Sequence, residues 1–164
     1  MTVVSLLLAA AAQMPISQHA SVTQAMGQTE ITIVYNRPSA RGRKLFGGIV
    51  KWRREWCPGA DSATTITLTK DVLFAGQRLA AGKYSIWAIP DTAEWTLIFS
   101  RAANVFHLPY PGAAQDALRI KIKPQPAPYF ETLAFYFPSA DAKHALLELH
   151  WGETIVQVPV ENPG

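Results

Sequence analysis

From residue 30 onward, apolar and polar side chains alternate with a period of two over most of the chain. Ile31, Ile33 and Tyr35 alternate with Thr32 and Val34, and Ile66 and Leu68 with Thr65, Thr67 and Thr69. Leu118, Ile120 and Ile122 alternate with Arg119, Lys121 and Lys123. Successive side chains of a strand point to opposite faces, so this pattern predicts half-buried strands. Trp95, Leu97 and Phe99 share one face of residues 94–99, as do Leu133, Phe135 and Phe137 of 132–137. Ala145, Leu147, Leu149 and Trp151 oppose His144, Leu146, Glu148 and His150, and Val156, Val158 and Val160 close the pattern.

Short turn signals separate these runs: Ala75-Gly76-Gln77, Ala81-Gly82-Lys83, Pro90-Asp91-Thr92 and Trp151-Gly152-Glu153 are brief enough to join antiparallel neighbours. About nine strands at this spacing predict an all-β fold, a single antiparallel β-sandwich or jelly-roll-like domain. It is expected over residues 30–160, with 13–29 as an N-terminal lead-in. Only residues 102–117 leave room for a short helical turn, and 124–128 read as a rigid, proline-rich connection between strands.

One stretch obeys neither period. Residues 35–65 hold Arg37, Arg41, Arg43, Lys44, Lys51, Arg53 and Arg54 against only Glu55 and Asp61, with glycines and prolines breaking any regular repeat. A long irregular connection inside a compact domain is uncommon and is usually functional when it occurs. The whole chain has 15 Lys and Arg against 12 Asp and Glu, so its modest net charge of +3 matters less than this local concentration. A local positive field attracts anionic groups.

With 164 residues, five Trp and seven Phe, the chain can build a substantial core. Residues 3–12 form an apolar, alanine-rich run too short for a normal membrane helix. Ala10-Ala11-Ala12 before Gln13 has the small-residue pattern of a signal-peptidase site, although Met1-Thr2 supplies no preceding cation. A signal peptide over 1–12, and hence a periplasmic or secreted protein without an integral membrane span, is the expectation. Cys57 is the only cysteine, which excludes an intramolecular disulfide.

Several motifs in fixed order carry a resemblance. Tyr35-x-Arg37-Pro38-Ser39-x-x-Gly42-Arg43-x-x-Phe46-Gly47 is followed by Trp56, Gly59-Ala60 and Ala63-Thr64, then by Leu79-Ala80-Ala81-Gly82-x-Tyr84-Ser85, Ile89-Pro90 and Glu94-Trp95-Thr96. Asp116-x-Leu118-Arg119-x-Lys121 comes last. Over residues 20–160 the chain resembles the bacterial domain of unknown function 2911 family, which implies a small exported all-β protein and no particular activity. After the tryptophan the family pattern reads Arg-Thr-Gly-Ala-Asn-Glu-Ala-Thr, whereas this chain has Cys57-Pro58-Gly59-Ala60-Asp61-Ser62-Ala63-Thr64. An activity resting on that arginine or glutamate would be lost or changed here.

Candidate chemistry centres on the loop. Arg37, Arg41, Arg43 and Lys44 could bind a carboxylate, phosphate or sulfated sugar, since guanidinium forks suit planar anions; the plainer alternative is a solvated loop paired internally. Arg37 and Arg43 lead because turn residues beside them fix their backbones. Trp52 and Trp56 could stack on a sugar ring, or Trp56 could anchor the loop to the core. Asp61 is expected to pair with Arg37, Arg43 or Arg54, and could serve as an acid or base. Cys57 would be a nucleophile only if a neighbouring cation lowered its pKa, and a buried, inert thiol is the preferred reading. Glu148 and His150 could offer two metal ligands, but a third from His19 or His107 has no spacing argument, so a solvated polar face is preferred and no metal or cofactor is expected.

These features support three readings. The first is a binding module for an anionic or carbohydrate-like ligand through the 37–61 loop. The second is a small enzyme using loop arginines and Asp61, and the third a structural or interaction domain whose loop only completes the sandwich. Nucleic acid is not an expected partner, because no recognition helix or aromatic ladder accompanies the charge. Oligomeric state is left open by the sequence.

Overall fold

The computed structural model describes residues 17–163, so the expected signal segment lies outside the described residues. Ten strands are present: β1 (Gln18–Met26), β2 (Thr29–Arg37), β3 (Thr65–Leu68), β4 (Val72–Phe74), β5 (Gln77–Leu79), β6 (Gly82–Ile89), β7 (Trp95–Ser100), β8 (Asp116–Ile122), β9 (Gln125–Ala140) and β10 (His144–Glu161). They form two antiparallel sheets, ordered β1-β2-β3-β6-β7-β8 and β5-β4-β10-β9. The all-β sandwich expected from the alternation is therefore what the chain forms. Among the described residues the only helical piece is a 3-10 turn at Ala113–Gln115, inside the stretch expected to hold one.

The alternating apolar faces meet between the sheets. Ile31, Ile33, Ile66, Leu97 and Phe99 of the larger sheet and Leu133, Phe135, Leu147, Leu149, Val156 and Val158 of the smaller belong to one buried core. Phe74 and Phe99 touch across it, with ring centroids 4.7 Å apart. Full burial of such a side chain stabilises the fold by about 1.5 to 3 kcal/mol. Ala75 and Gly76, at φ 49° and 76°, close the tight β4–β5 hairpin.

Four local expectations are revised. The stretch read as a lead-in contributes β1, paired with β2 from Gln18↔Arg37 to Met26↔Thr29. The turn at Ala81-Gly82-Lys83 connects β5 to β6, which lie in different sheets, so its strands are not paired neighbours. Trp151-Gly152-Glu153 is no turn at all: β10 runs through it, with the register shifting on either side of Gly152. Gly152 has φ 59°, and a Cβ there would sit 2.7 Å from Cδ1 of Leu45, so glycine bends the strand and admits a loop side chain. Most of the proline-rich 124–128 stretch belongs to β9, whose position at the sheet edge tolerates the missing N–H groups.

That edge is closed by the end of β2 and the chain leaving it. The Tyr35 hydroxyl donates to the carbonyl of Phe135 and accepts the Phe135 N–H, at 3.4 and 3.0 Å. Arg37 Nε donates to the Leu133 carbonyl at 3.1 Å, while Leu133 N donates to Pro38 and Ala40 N to Glu131. Unpaired strand edges invite association with other chains, and these bonds cover part of this one.

Candidate functional site

Residues 38–64 form no regular element, but backbone hydrogen bonds fasten them to the fold. Trp56 and Ala88 exchange two backbone bonds of 2.8 Å, Arg53 N donates to Pro90, and Ala63 N donates to Val105. The 45–50 turn is held by Val50 N and Gly48 N donating to Leu45 and Gly47 N donating to Val50. A Cβ on Gly47 would collide with the indole nitrogen of Trp52, and one on Gly48 with the Lys44 carbonyl, so both glycines answer to close approach.

Aromatic packing supplies the second anchor. Phe46 lies 4.9 Å from Trp95, 5.8 Å from Trp56, 6.1 Å from Trp52 and 6.5 Å from Trp151, measured between ring centroids. Trp56 stacks on Trp151 at 6.0 Å with their planes 12° apart. A further small core forms on the outer face of β6 and β7, where Cys57 and Ala63 cover Trp87 and Ile98 with Val105 and Tyr110 packed alongside. This explains why all six residues of β7 are buried although the alternation implied one buried face.

Within this frame lies a cleft of about 370 Å³. Arg43, Lys51 and Arg54 line it against the single carboxylate of Glu55, with Trp56, Trp151, Ile49, His107 and Leu108 supplying aromatic and apolar wall. Lys51 and Arg54 are exposed and enter no ion pair among the described residues. Arg43 is partly committed, because its Nε donates to the Ala40 carbonyl and its Nη2 to the Ser39 carbonyl, at 2.9 and 2.7 Å. His107 Nδ1 lies 2.7 Å from the Asp61 carbonyl oxygen, which holds the ring at the rim. Three roomier hollows, of about 440, 530 and 570 Å³, lie elsewhere, and none gathers cations beside indole rings.

The expected site residues are thereby divided. Arg43 and Trp56 line the cleft; Arg37, Arg41, Lys44, Trp52 and Asp61 do not. Arg37 is occupied with the β9 edge, and the Arg41 backbone N–H donates to Glu131 at 2.7 Å. Tyr129 and then that Arg41 N–H hold the Glu131 carboxyl below its usual range. Arg53 pairs with Asp91 at 2.8 Å. The expected ion pair of Asp61 is not formed: among the described residues no cation bridges its exposed carboxylate, and φ of 61° turns its carbonyl toward His107. Lys51 and Arg54, counted in the cationic loop but not ranked as ligands, line the cleft. Trp151 and His107 reach the cleft from distant parts of the chain, and nothing in the loop's own sequence announces them.

Cys57 is buried at the cleft floor, where burial pushes its thiol from 9.0 up to about 11 despite the Thr64 N–H that approaches the sulfur at 3.3 Å. This matches the inert reading. Glu148 and His150 are not a solvated face: each is 6% exposed. His150 Nδ1 lies 3.2 Å from the Tyr136 hydroxyl and Nε2 3.0 Å from the Pro128 carbonyl, with Phe130 stacked on the ring at 4.8 Å. Gln157 Nε2 donates to Glu148 at 2.5 Å, and burial followed by the neighbouring Glu148 raises the Tyr136 hydroxyl to about 12. Among the described residues no group of three His, Cys, Asp or Glu side chains is arranged to hold a metal ion, and no helix is long and apolar enough to cross a membrane.

Residues 17–160 match the family described as Protein of unknown function (DUF2911), and the chain belongs to that family. Neither the curated proteins nor the solved structures contain a match to it.

Proposed function

We propose that this member of the family is a binding module for a small anionic ligand on a carbohydrate-like frame, held in the cleft between Lys51, Arg54 and the stacked Trp56–Trp151 pair. The observation that carries this reading is the convergence of three cations and one carboxylate on a hollow with an indole wall. Each charged hydrogen bond to such a ligand contributes about 1.5 to 3 kcal/mol, and an aromatic wall suits the apolar face of a sugar ring. The glycine-fixed turn and the Trp56–Ala88 bonds hold the wall in place before binding, which lowers the ordering cost. Export, expected from residues 3–12, would place acidic glycans of the cell envelope within reach. The enzyme reading draws less support, because Asp61 does not line the cleft and the Cys57 thiol stays protonated near neutral pH.

Calorimetric titration of an oligogalacturonate, with inorganic phosphate as a second probe, tests the proposal. Saturable binding should weaken at least about 100-fold in the Lys51→Ala, Arg54→Ala double variant while thermal unfolding stays unchanged. Equal affinity in wild type and variant, or no saturable binding of either probe, would refute it.

A further inference from the structure

Lys51 and Arg54 line the cationic cleft, whereas Trp52 lines a separate hollow of about 440 Å³. Asp91, Thr92, Gln125, Glu153 and Thr154 place polar groups around it, and Trp95 and two prolines complete its lining. The volume falls within the range of about 300 to 1,000 Å³ common for small-molecule sites.

Three observations make this hollow more than a surface dimple. Trp52 is 37% exposed yet positioned: it stacks on Phe46 at 6.1 Å with planes 29° apart, and only a glycine at 47 leaves room for its indole nitrogen. Asp91 is also fixed, since Oδ2 accepts from Arg53 and Oδ1 from the Thr92 N–H at 2.8 and 2.7 Å. Trp95 is 2% exposed, and its indole N–H has no hydrogen-bond partner among the described residues. A buried donor without a partner costs about 1 to 3 kcal/mol, a cost carried here by a residue of the hollow's own lining.

We infer that this hollow is a second binding site, independent of the cationic cleft, that takes an uncharged sugar ring stacked on Trp52 with its hydroxyls bonded to Asp91, Glu153 and Gln125. An indole face complements the C–H face of a pyranose, and carboxylates and amides accept hydroxyl protons. An organic ammonium also favours aromatic and carboxylate groups, but it gains from several open ring faces, and here Trp52 offers an accessible one while Trp95 is enclosed. The carboxylates would also repel an acidic sugar, so the two sites select different ligands.

Amide and indole N–H spectra of the folded chain, titrated with uncharged glucose and N-acetylglucosamine oligosaccharides and separately with choline chloride, provide the test. At least one sugar should shift the Trp52 and Trp95 indole signals saturably. Trp52→Ala should lower that affinity roughly tenfold or more, Trp52→Phe should retain most of it, and the Lys51→Ala, Arg54→Ala pair should leave it unchanged. The inference is overturned if neither sugar shifts the indoles, if choline does so in their place, or if Trp52→Ala leaves sugar affinity intact. Loss of sugar binding in the Lys51→Ala, Arg54→Ala variant would likewise overturn it by assigning the sugar to the cleft.

Discussion

Arg37 and Arg54 have the same side chain in the same cationic stretch of sequence, and the fold puts them to opposite uses. Arg37 ends β2 and donates to the Leu133 carbonyl on the free side of β9, so its charge is part of the frame. Arg54 sits near the loop's far end, exposed at the cleft beside Lys51 and in no ion pair among the described residues. What separates them is the supply of main-chain acceptors: a strand edge absorbs a guanidinium, whereas a turn already satisfied by its own backbone leaves the charge outward. Arg43 stands between the two, bonded to the Ser39 and Ala40 carbonyls while lining the cleft.

Removing the frame should cost most. Trp56→Ala deletes the ring stacked on Trp151 and should lower stability by about 3 to 5 kcal/mol in denaturant unfolding. A loss below 1 kcal/mol would mean the indole wall is dispensable. Alkaline pH probes the cleft floor: the folded Cys57 thiol titrates near 11 rather than 9.0, so its contribution is complete below about pH 9 and is lost as pH rises through 11. That loss should reach about 2 to 3 kcal/mol and be absent in Cys57→Ala, compared by unfolding at pH 8 and pH 11. Arg37→Ala should cost about 1.5 to 3 kcal/mol by stripping a charged donor from a partly buried carbonyl. Lys51→Ala should stay within about 0.5 kcal/mol, and similar losses for the two would erase the distinction between them.

How far each region could be read from the chain follows from the same distinction. Alternation located β2, β3, β7 and β8 because one face of each packs on a single core. It stopped short at β1, whose burial alternates only weakly at the sheet edge, and it split β10, where Gly152 mimics a turn while making space for Leu45. The second buried face of β7 was hidden because it is covered by the irregular segments carrying Cys57, Ala63 and Tyr110. At the candidate site, cation density and the flanking tryptophans marked the loop. The sequence put Arg37 ahead of Arg54, and reversing that order required knowing that Leu133, 96 positions after Arg37, offers it a carbonyl. Glu148 and His150 teach the same lesson, since their solvent exposure is removed by Tyr136 and Phe130 of β9 and by Gln157 at the far end of their own long strand rather than by their sequence neighbours.

The most direct measurement is the affinity of an oligogalacturonate for Arg37→Ala set beside that for the Lys51→Ala, Arg54→Ala variant, under conditions where both remain folded. If the loop's cations divide into frame and ligand-facing groups, Arg37→Ala should bind within about threefold of wild type, while the double variant should lose at least about 100-fold. An equal loss in both, or a larger loss in Arg37→Ala, would contradict that division and return the cleft to the role of a structural crevice.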